Sequence, residues 1–293
     1  MPRRQNSIRN FIYSVKKQVC SETILHLHFY SIKQLILFLN INSIIFTLLI
    51  YIFVKMLGCI EAGVHGTIEF RILTEDKFES AIEIQQETMC QENVAHGVGL
   101  YEEVGAPEAM KMIFREVIKD GCTIIAVQNK TDKVVGVAFN KLHVPLGPGE
   151  VDNIFENIKN NIKQKSALAL IQFLDDVESK VNIYEKYNTR ASMEIFYVGT
   201  DPKYRGYQIG QGVIAASLKL ARELKENKCE DNKIIPEVAF GVFTSNYSQR
   251  IAENLQFEWL ETVFYSDLTY WGKTMAERIG NEHKTAKLGA LRL

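Results

Sequence analysis

The 293-residue chain predicts a layered α/β domain built on a mixed β-sheet. Three observations carry this expectation. Short apolar strand-like runs are interrupted by segments of helical period over residues 67–265. Two of those runs, 122–127 and 134–140, face each other across a polar turn. A third, 193–198, runs through a glycine-bearing turn directly into a long amphipathic segment, 209–226.

Each element has its own warrant. Residues 67–73 alternate apolar and polar side chains, as a half-buried strand does. Thr74-Glu75-Asp76 then opens a helix expected over about 76–90. Pro107, favoured in the first helical turn, opens a second over about 107–119. The turn Asn129-Lys130-Thr131-Asp132 joins the two hairpin strands. Residues 152–183 are helical in tendency, with Ile154, Ile158 and Ile162 and then Leu168, Ile171 and Leu174 on repeating faces. After the strand 193–198, Asp201-Pro202 marks the turn, and Ile209, Val213, Ala216, Leu220 and Leu224 keep one face of the helix 209–226. A strand at 236–243, a short helix at 246–255 and a last strand at 257–265 complete the body.

Composition narrows the function classes. Hydrophobic content of 46% and charged content of 24% suit a globular enzyme. Residues 1–65 carry seven Lys and Arg against Glu22 and Glu61, a net of +5, which leaves 66–293 with −6 of the overall −1. An acidic body argues against a nucleic-acid partner and suits a cationic amine substrate. The five cysteines are scattered and odd in number, with no Cys-x-x-Cys or His-x-x-x-His spacing, so free thiols and no metal site are expected.

The N-terminal 65 residues are set apart. Between Lys33 and Lys55 lie 21 uncharged residues, 34–54, rich in Leu, Ile and Phe. At ~1.5 Å per residue a helix of that length crosses a ~30 Å hydrocarbon core, although Asn40, Asn42 and Ser43 interrupt it. The basic excess ahead of the segment would place the N-terminus in the cytosol. Three readings stand: a signal anchor, a targeting segment removed later, or a non-native extension ahead of a start at Met56. The chain therefore divides into an extension, 1–65, and a domain, 66–293. A monomer in the cytoplasm is expected, with single-pass membrane attachment the alternative if 34–54 is an authentic anchor.

A strand, a glycine-bearing turn and a helix N-terminus make an anion site, because the first helical N–H groups lack intrahelical partners. Pyrophosphate is the natural guest. The segment Arg205-Gly206-Tyr207-Gln208-Ile209-Gly210 resembles the acetyl-CoA loop of the GNAT acetyltransferase superfamily, Arg/Gln-x-x-Gly-x-Gly/Ala, with Gln208 in place of the first pattern glycine. Other stretches resemble the insect-type arylalkylamine (dopamine-like) N-acetyltransferases in the order that family requires. They are Val135-Gly136-Val137-Ala138-Phe139-Asn140, Phe173-Leu174-Asp175-Asp176-Val177-Glu178, Thr244-Ser245-Asn246-Tyr247-Ser248 with Asn254-Leu255-Gln256-Phe257, and His283-Lys284-Thr285-Ala286-Lys287-Leu288.

The resemblance covers 67–270 and implies a GNAT-like, mostly antiparallel central sheet flanked by helices, with the N-terminal hydrophobic segment outside it. It implies acetyl-CoA as co-substrate, no metal, and direct transfer of acetyl to a small primary amine of arylalkyl type. Polyamines or peptide N-termini are the alternative acceptors, and a non-catalytic acyl-CoA-binding module is the rival class. The backbone of Arg205, Gly206, Tyr207, Gln208, Ile209 and Gly210 would hold the pyrophosphate. The strand edge at Phe196, Tyr197 and Val198 would pair with pantetheine, and Asn246 would mark the second cofactor edge. Glu92, in Gln91-Glu92-Asn93, stands where the family carries the base that strips an amine of pKa about 10. Thr244 and Ser248 correspond to two family serines near the thiol leaving group, and Ala252 stands where many members carry an acidic Tyr. Phe139, Tyr184 and Tyr187 are candidates for an amine pocket. Gln208 is costly if its φ is positive and harmless if the helix has already begun; Gly206, Gly210 and Gly212 favour the harmless case. Gln256, replacing a glycine before Phe257, implies a local change of turn.

Overall fold

The computed structural model describes residues 56–147, 150, 152–226 and 234–293, so the apolar segment 34–54 and the anchor reading lie outside the described residues. In chain order the strands are β1 (Met56–Glu61), β2 (Thr67–Ile72), β3 (Ile124–Gln128), β4 (Lys133–His143), β5 (Ser192–Thr200), β6 (Val238–Phe243) and β7 (Glu258–Phe264). A small ribbon of β8 (Thr269–Tyr270) and β9 (Lys273–Thr274) precedes β10 (Thr285–Arg292). The main sheet runs β1-β2-β3-β4-β5-β6-β10-β7 and is antiparallel everywhere except between β5 and β6. The helices are α1 (Phe78–Met89), α2 (Asn93–Gly97), α3 (Ala106–Val117), α4 (Asn153–Asn161), α5 (Lys165–Glu178), α6 (Ile183–Tyr187), α7 (Ile209–Glu226), α8 (Asn246–Asn254) and α9 (Met275–Ile279).

The mixed, mostly antiparallel sheet with flanking helices is the expected one. Its boundary is not. Met56–Glu61, assigned to the extension by the sequence, pairs antiparallel with β2 as the edge strand, and Leu57 and Ala62 are buried. The domain therefore begins before Gly66. The helical run 152–183 resolves into α4 and α5, with α6 beginning at its end, because the chain turns between them and the side chains of Asp152 and Asn182 cap α4 and α6. Cys90 and Cys122 are free thiols as expected, whereas Cys59 is disulfide-bonded. Among the described residues no helix is long and apolar enough to cross a membrane.

Both faces of the sheet are covered, so β3 is buried throughout rather than alternating. Ile124 and Ala126 pack toward α7 with Ile68, Phe70, Val213, Ala216 and Leu220. Ile125 and Val127 pack on the other face with α1, α3 and α5 through Ile84, Phe114 and Phe173. Helix α7 lies close on its face because Gly212 has no side chain: a Cβ there would stand 2.1 Å from the Phe70 ring. That close seat fixes where the turn after β5 delivers its helix N-terminus.

The sheet opens at one place. β5 and β6 pair in parallel only from Ser192 opposite Val238 to Glu194 opposite Phe240. Beyond that point β5 continues to Thr200, paired with β4 alone, while β6 pairs with β10. A V-shaped gap therefore parts the middle of the sheet, flanked at its wide end by the two strand-to-helix turns that start α7 and α8.

Candidate active site

A gap between the C-terminal ends of neighbouring parallel strands is where α/β sheets place ligands. Here it has one free strand edge, residues 195–200 of β5. Phe196 is the extra residue of a β-bulge, since Ile195 faces Asn140 and Tyr197 faces Phe139. The bulge turns Phe196 and Tyr197 to one face, where both contact Phe114 at ring-centroid distances of 5.6 and 5.3 Å. The Tyr197 hydroxyl lies 2.9 Å from Thr88 Oγ1, and burial pushes its pKa well above the usual tyrosine value. Val198 packs between α7 and α8 residues on the opposite side. These three residues leave the gap a backbone edge, while their partly buried side chains pack against the core.

At the wide end, Asp201 caps a short turn through a 2.9 Å bond from the Lys203 N–H and binds Lys133 at 2.8 Å. Gly206 then takes φ +82°, a conformation for which glycine is suited, with open space where a β-carbon would stand. Gln208 takes φ +61°, in the left-handed region, and its carbonyl accepts the first helical bond from Gly212 at 2.9 Å. The harmless reading of Gln208 is therefore wrong: the helix starts after it, and a β-carbon occupies a glycine-type conformation. The N–H groups of Ile209 and Gly210 are the first of α7 and lie ahead of its hydrogen-bonded ladder. Arg205 is exposed and forms no ion pair among the described residues. Tyr207 instead turns its ring to the β1–β2 turn, edge-on to His65 at 5.2 Å. An acidic pyrophosphate fits this loop: orphan N–H groups, a free guanidinium and no carboxylate bonded within 205–210.

Glu92 stands on the face that carries Tyr197. It is the N-cap of α2, where its Oε2 accepts the Ala95 N–H at 2.7 Å. Its Oε1 is buried and has no hydrogen-bond partner among the described residues. An unmet buried acceptor costs about 1–3 kcal/mol, more if charged, so its retention needs a reason. Tyr101, Tyr197 and Tyr265 surround it, and burial together with the Glu92 charge raises the first of these to about 12 and the last well above the usual value. The neighbouring Asn93 donates to the Thr244 carbonyl at 2.8 Å, as Tyr265 does at 2.7 Å. The exit of β6 is thereby tied to α2, which brings Glu92 and Thr244 to the same place.

The remaining candidates are engaged structurally. Ser248 and Ser245 form a reciprocal capping box for α8, with 3.0–3.1 Å contacts between each hydroxyl and the other's N–H. Asn246 donates through Nδ2 to the Glu282 carbonyl at 2.7 Å and through its N–H to His283 at 3.3 Å, fastening the loop before β10. Phe139 is fully buried between Phe114 and Tyr197, and the Tyr187 hydroxyl bonds to Glu258. Asn93, Tyr265 and the Phe196 bulge were not identified from the sequence; only Asn93, inside the Gln91-Glu92-Asn93 segment, stood beside a signal. Two cavities among the described residues, of about 420 and 260 Å³, lie elsewhere, lined by Asn188–Ala191 with Lys225 and Glu237, and by Gly99, Glu102 and Trp271 with Ser166.

No family model matches this chain, and no curated protein matches it by sequence. Solved structures do match. Arylalkylamine N-acetyltransferase 2 from Aedes aegypti is 20% identical with a TM-score of 0.63, over 77% of this chain and 98% of that one. The fold is that of the GNAT N-acetyltransferases. The same fold is seen in an agmatine N-acetyltransferase (16% identity, TM-score 0.61, 77% and 99% covered). It recurs in a Drosophila melanogaster polyamine N-acetyltransferase that forms N-acetylagmatine (17%, 0.59, 77% and 100%). At identities this low the likeness shows the fold, and side-chain roles must be argued from this chain itself.

Proposed function

We propose that the chain is an acetyl-CoA-dependent N-acetyltransferase acting on a small primary amine, of arylalkyl, agmatine or polyamine type. The observation that carries the chemistry is the buried, unpartnered Oε1 of Glu92 beside the open strand edge. When bound, the thioester supplies the acetyl group. The chain's own residues do the rest. Ile209, Gly210 and Arg205 hold the phosphates, and the free N–H and C=O groups of 195–200 align the extended arm. Glu92 Oε1 takes the proton of the ammonium, directly or through one water, because only the neutral amine has a lone pair to attack with. Thr244, held by Asn93 and Tyr265, sets the far wall. Ser248 is placed to donate to the departing thiolate only by leaving its capping box, so Thr244 is the better candidate for that role.

The test is thiol release from acetyl-CoA with a panel of aryl, guanidino and polyamine amines. Glu92→Gln keeps an amide oxygen to cap α2, so the fold should persist while turnover falls about 10²-fold or more and the pH optimum moves upward. Arg205→Ala should weaken acetyl-CoA binding. Binding of acetyl-CoA with no thiol release from any amine would favour the non-catalytic module, and a Glu92→Gln variant with wild-type pH behaviour would move the base elsewhere.

A further inference from the structure

Buried Glu194 and half-buried Glu178 and His143 form a cluster at the apex of the gap, and the chemistry assigned to Glu92 does not use it. Glu194 is the last β5 residue paired to β6 and is 5% exposed. Its Oε2 lies 2.7 Å from Nε2 of His143, the end of β4, whose ring packs on Phe240 of β6 at 5.7 Å. Glu178, closing α5, hydrogen-bonds to Glu194. One contact set thus ties β4, β5, β6 and α5 at the point where β5 and β6 separate.

The charges around it do not neutralise it. Lys141 of β4 faces the cluster but is drawn to Asp152 at 3.4 Å and lies over the Phe155 ring at 4.0 Å. Asp175 of α5 is bound to Lys159 at 2.9 Å, Asp120 accepts the Leu142 N–H, and Tyr184 of α6 sits 3.3 Å from Ser192. Burial lowers His143 to about 4, so its imidazole is neutral and supplies no counter-charge. Burial raises Glu194 to about 7 and Glu178 well above the carboxylate range. Two adjacent carboxylates taken out of water cannot both ionise without severe repulsion.

We propose that Glu178 and Glu194 share one proton, and that this shared proton holds the gap apex closed and positions the acyl end of acetyl-CoA. The placement of the acyl end follows from length. With phosphates on the 205–210 loop, an extended arm lying along Thr200 to Ile195 runs about 17 Å at ~3.3 Å per residue and ends beside Glu194. The positioning role rests on the acetyl-CoA reading above; the shared proton does not.

The carboxyl pKa values are raised in the folded state, so the stability they confer is complete below the unfolded carboxylate range near about 4.3 and is lost as pH rises through about 7. His143 has the opposite sign: its contribution is complete above about 6.5 and lost as pH falls through about 4. The experiment uses the full chain, as wild type, Glu178→Gln and Glu194→Gln, between about pH 6.5 and about pH 8.5. Melting temperature is measured without ligand and acetyl-CoA affinity by calorimetry. The wild type should lose melting temperature with alkalinity and weaken about tenfold in Kd. Either Gln variant, whose amide cannot ionise, should flatten both slopes, and the two variants guard against one failing to fold. A flat wild-type profile, or Gln variants that keep the wild-type slope, overturns the shared proton. A sloping melting temperature with pH-independent acetyl-CoA affinity overturns the positioning role alone. No acetyl-CoA binding at any pH overturns the functional reading, and the positioning role with it, while the ligand-free slope still decides the shared proton.

Discussion

At the scale of single residues, two glutamines hold backbone conformations that glycine holds without strain. Gln256 at φ +67° is the C′ residue of α8: its N–H donates to Glu253 at 3.0 Å, and the next N–H, of Phe257, donates to Ala252 at 2.9 Å. This is the paired bonding of a Schellman motif, with Phe257 buried against the helix. The turn is thus the ordinary one with an unusual residue in it, not the altered turn expected. Left-handed geometry costs a residue with a β-carbon about 1–2 kcal/mol, partly offset by the entropy glycine loses on folding. Gln256→Gly and Gln208→Gly should each raise stability by roughly 0.5–1 kcal/mol in urea titrations. A loss of stability at position 208 would mean that its side chain contributes contacts of its own. Such conformations are not legible in sequence, because a neighbouring glycine says nothing about which residue carries the positive φ. Glu92 was singled out only by the resemblance of Gln91-Glu92-Asn93 to the family's base segment; its unpartnered Oε1 had no signal in the sequence, because burial is a property of the assembled site.

Among the elements, legibility followed pattern strength. The strand at 67–72 alternates, and the helix 209–226 keeps an apolar face over several turns, so both were placed within a residue or so. β10 was missed because Thr-Ala-Lys-Leu-Gly-Ala-Leu-Arg has few β-branched residues; it is a strand because β6 and β7 supply hydrogen bonds on both sides. α2 is one short turn, below the length at which a period can be seen. The acid cluster was invisible for a different reason: its three members sit on three elements far apart in sequence. Element packing also yields a test. Gly212→Ala drives a methyl to within 2.8 Å of three Phe70 ring carbons, so α7 must shift. Destabilisation of about 1–3 kcal/mol and weaker acetyl-CoA binding should appear together, since the same shift moves the N–H groups at 209–210. Gly210→Ala, whose nearest neighbour would be Ile251 at 3.5 Å, should disturb neither as much, and equal losses in the two variants would argue against the close seat of α7 as the cause.

For the molecule as a whole, the edge strand β1 decides where the domain can be cut. A chain beginning at Gly66 would strip β2 of one of its two partners, uncover the side chains that pack with Leu57 and Ala62, and expose a hydrogen-bonding edge. It should melt at lower temperature and aggregate more readily than one beginning at Met56. Equal melting temperatures would show that β1 contributes nothing to the fold. The position of β10 has a different consequence, one of timing. During synthesis β6 and β7 leave the ribosome before the strand that separates them in the sheet. Until β10 arrives, the edges of β6 and β7 that it pairs with are both bare. The β6–β10–β7 part of the sheet can close only once β10 is free to insert, so chaperones, tags or stalled synthesis should be felt there first.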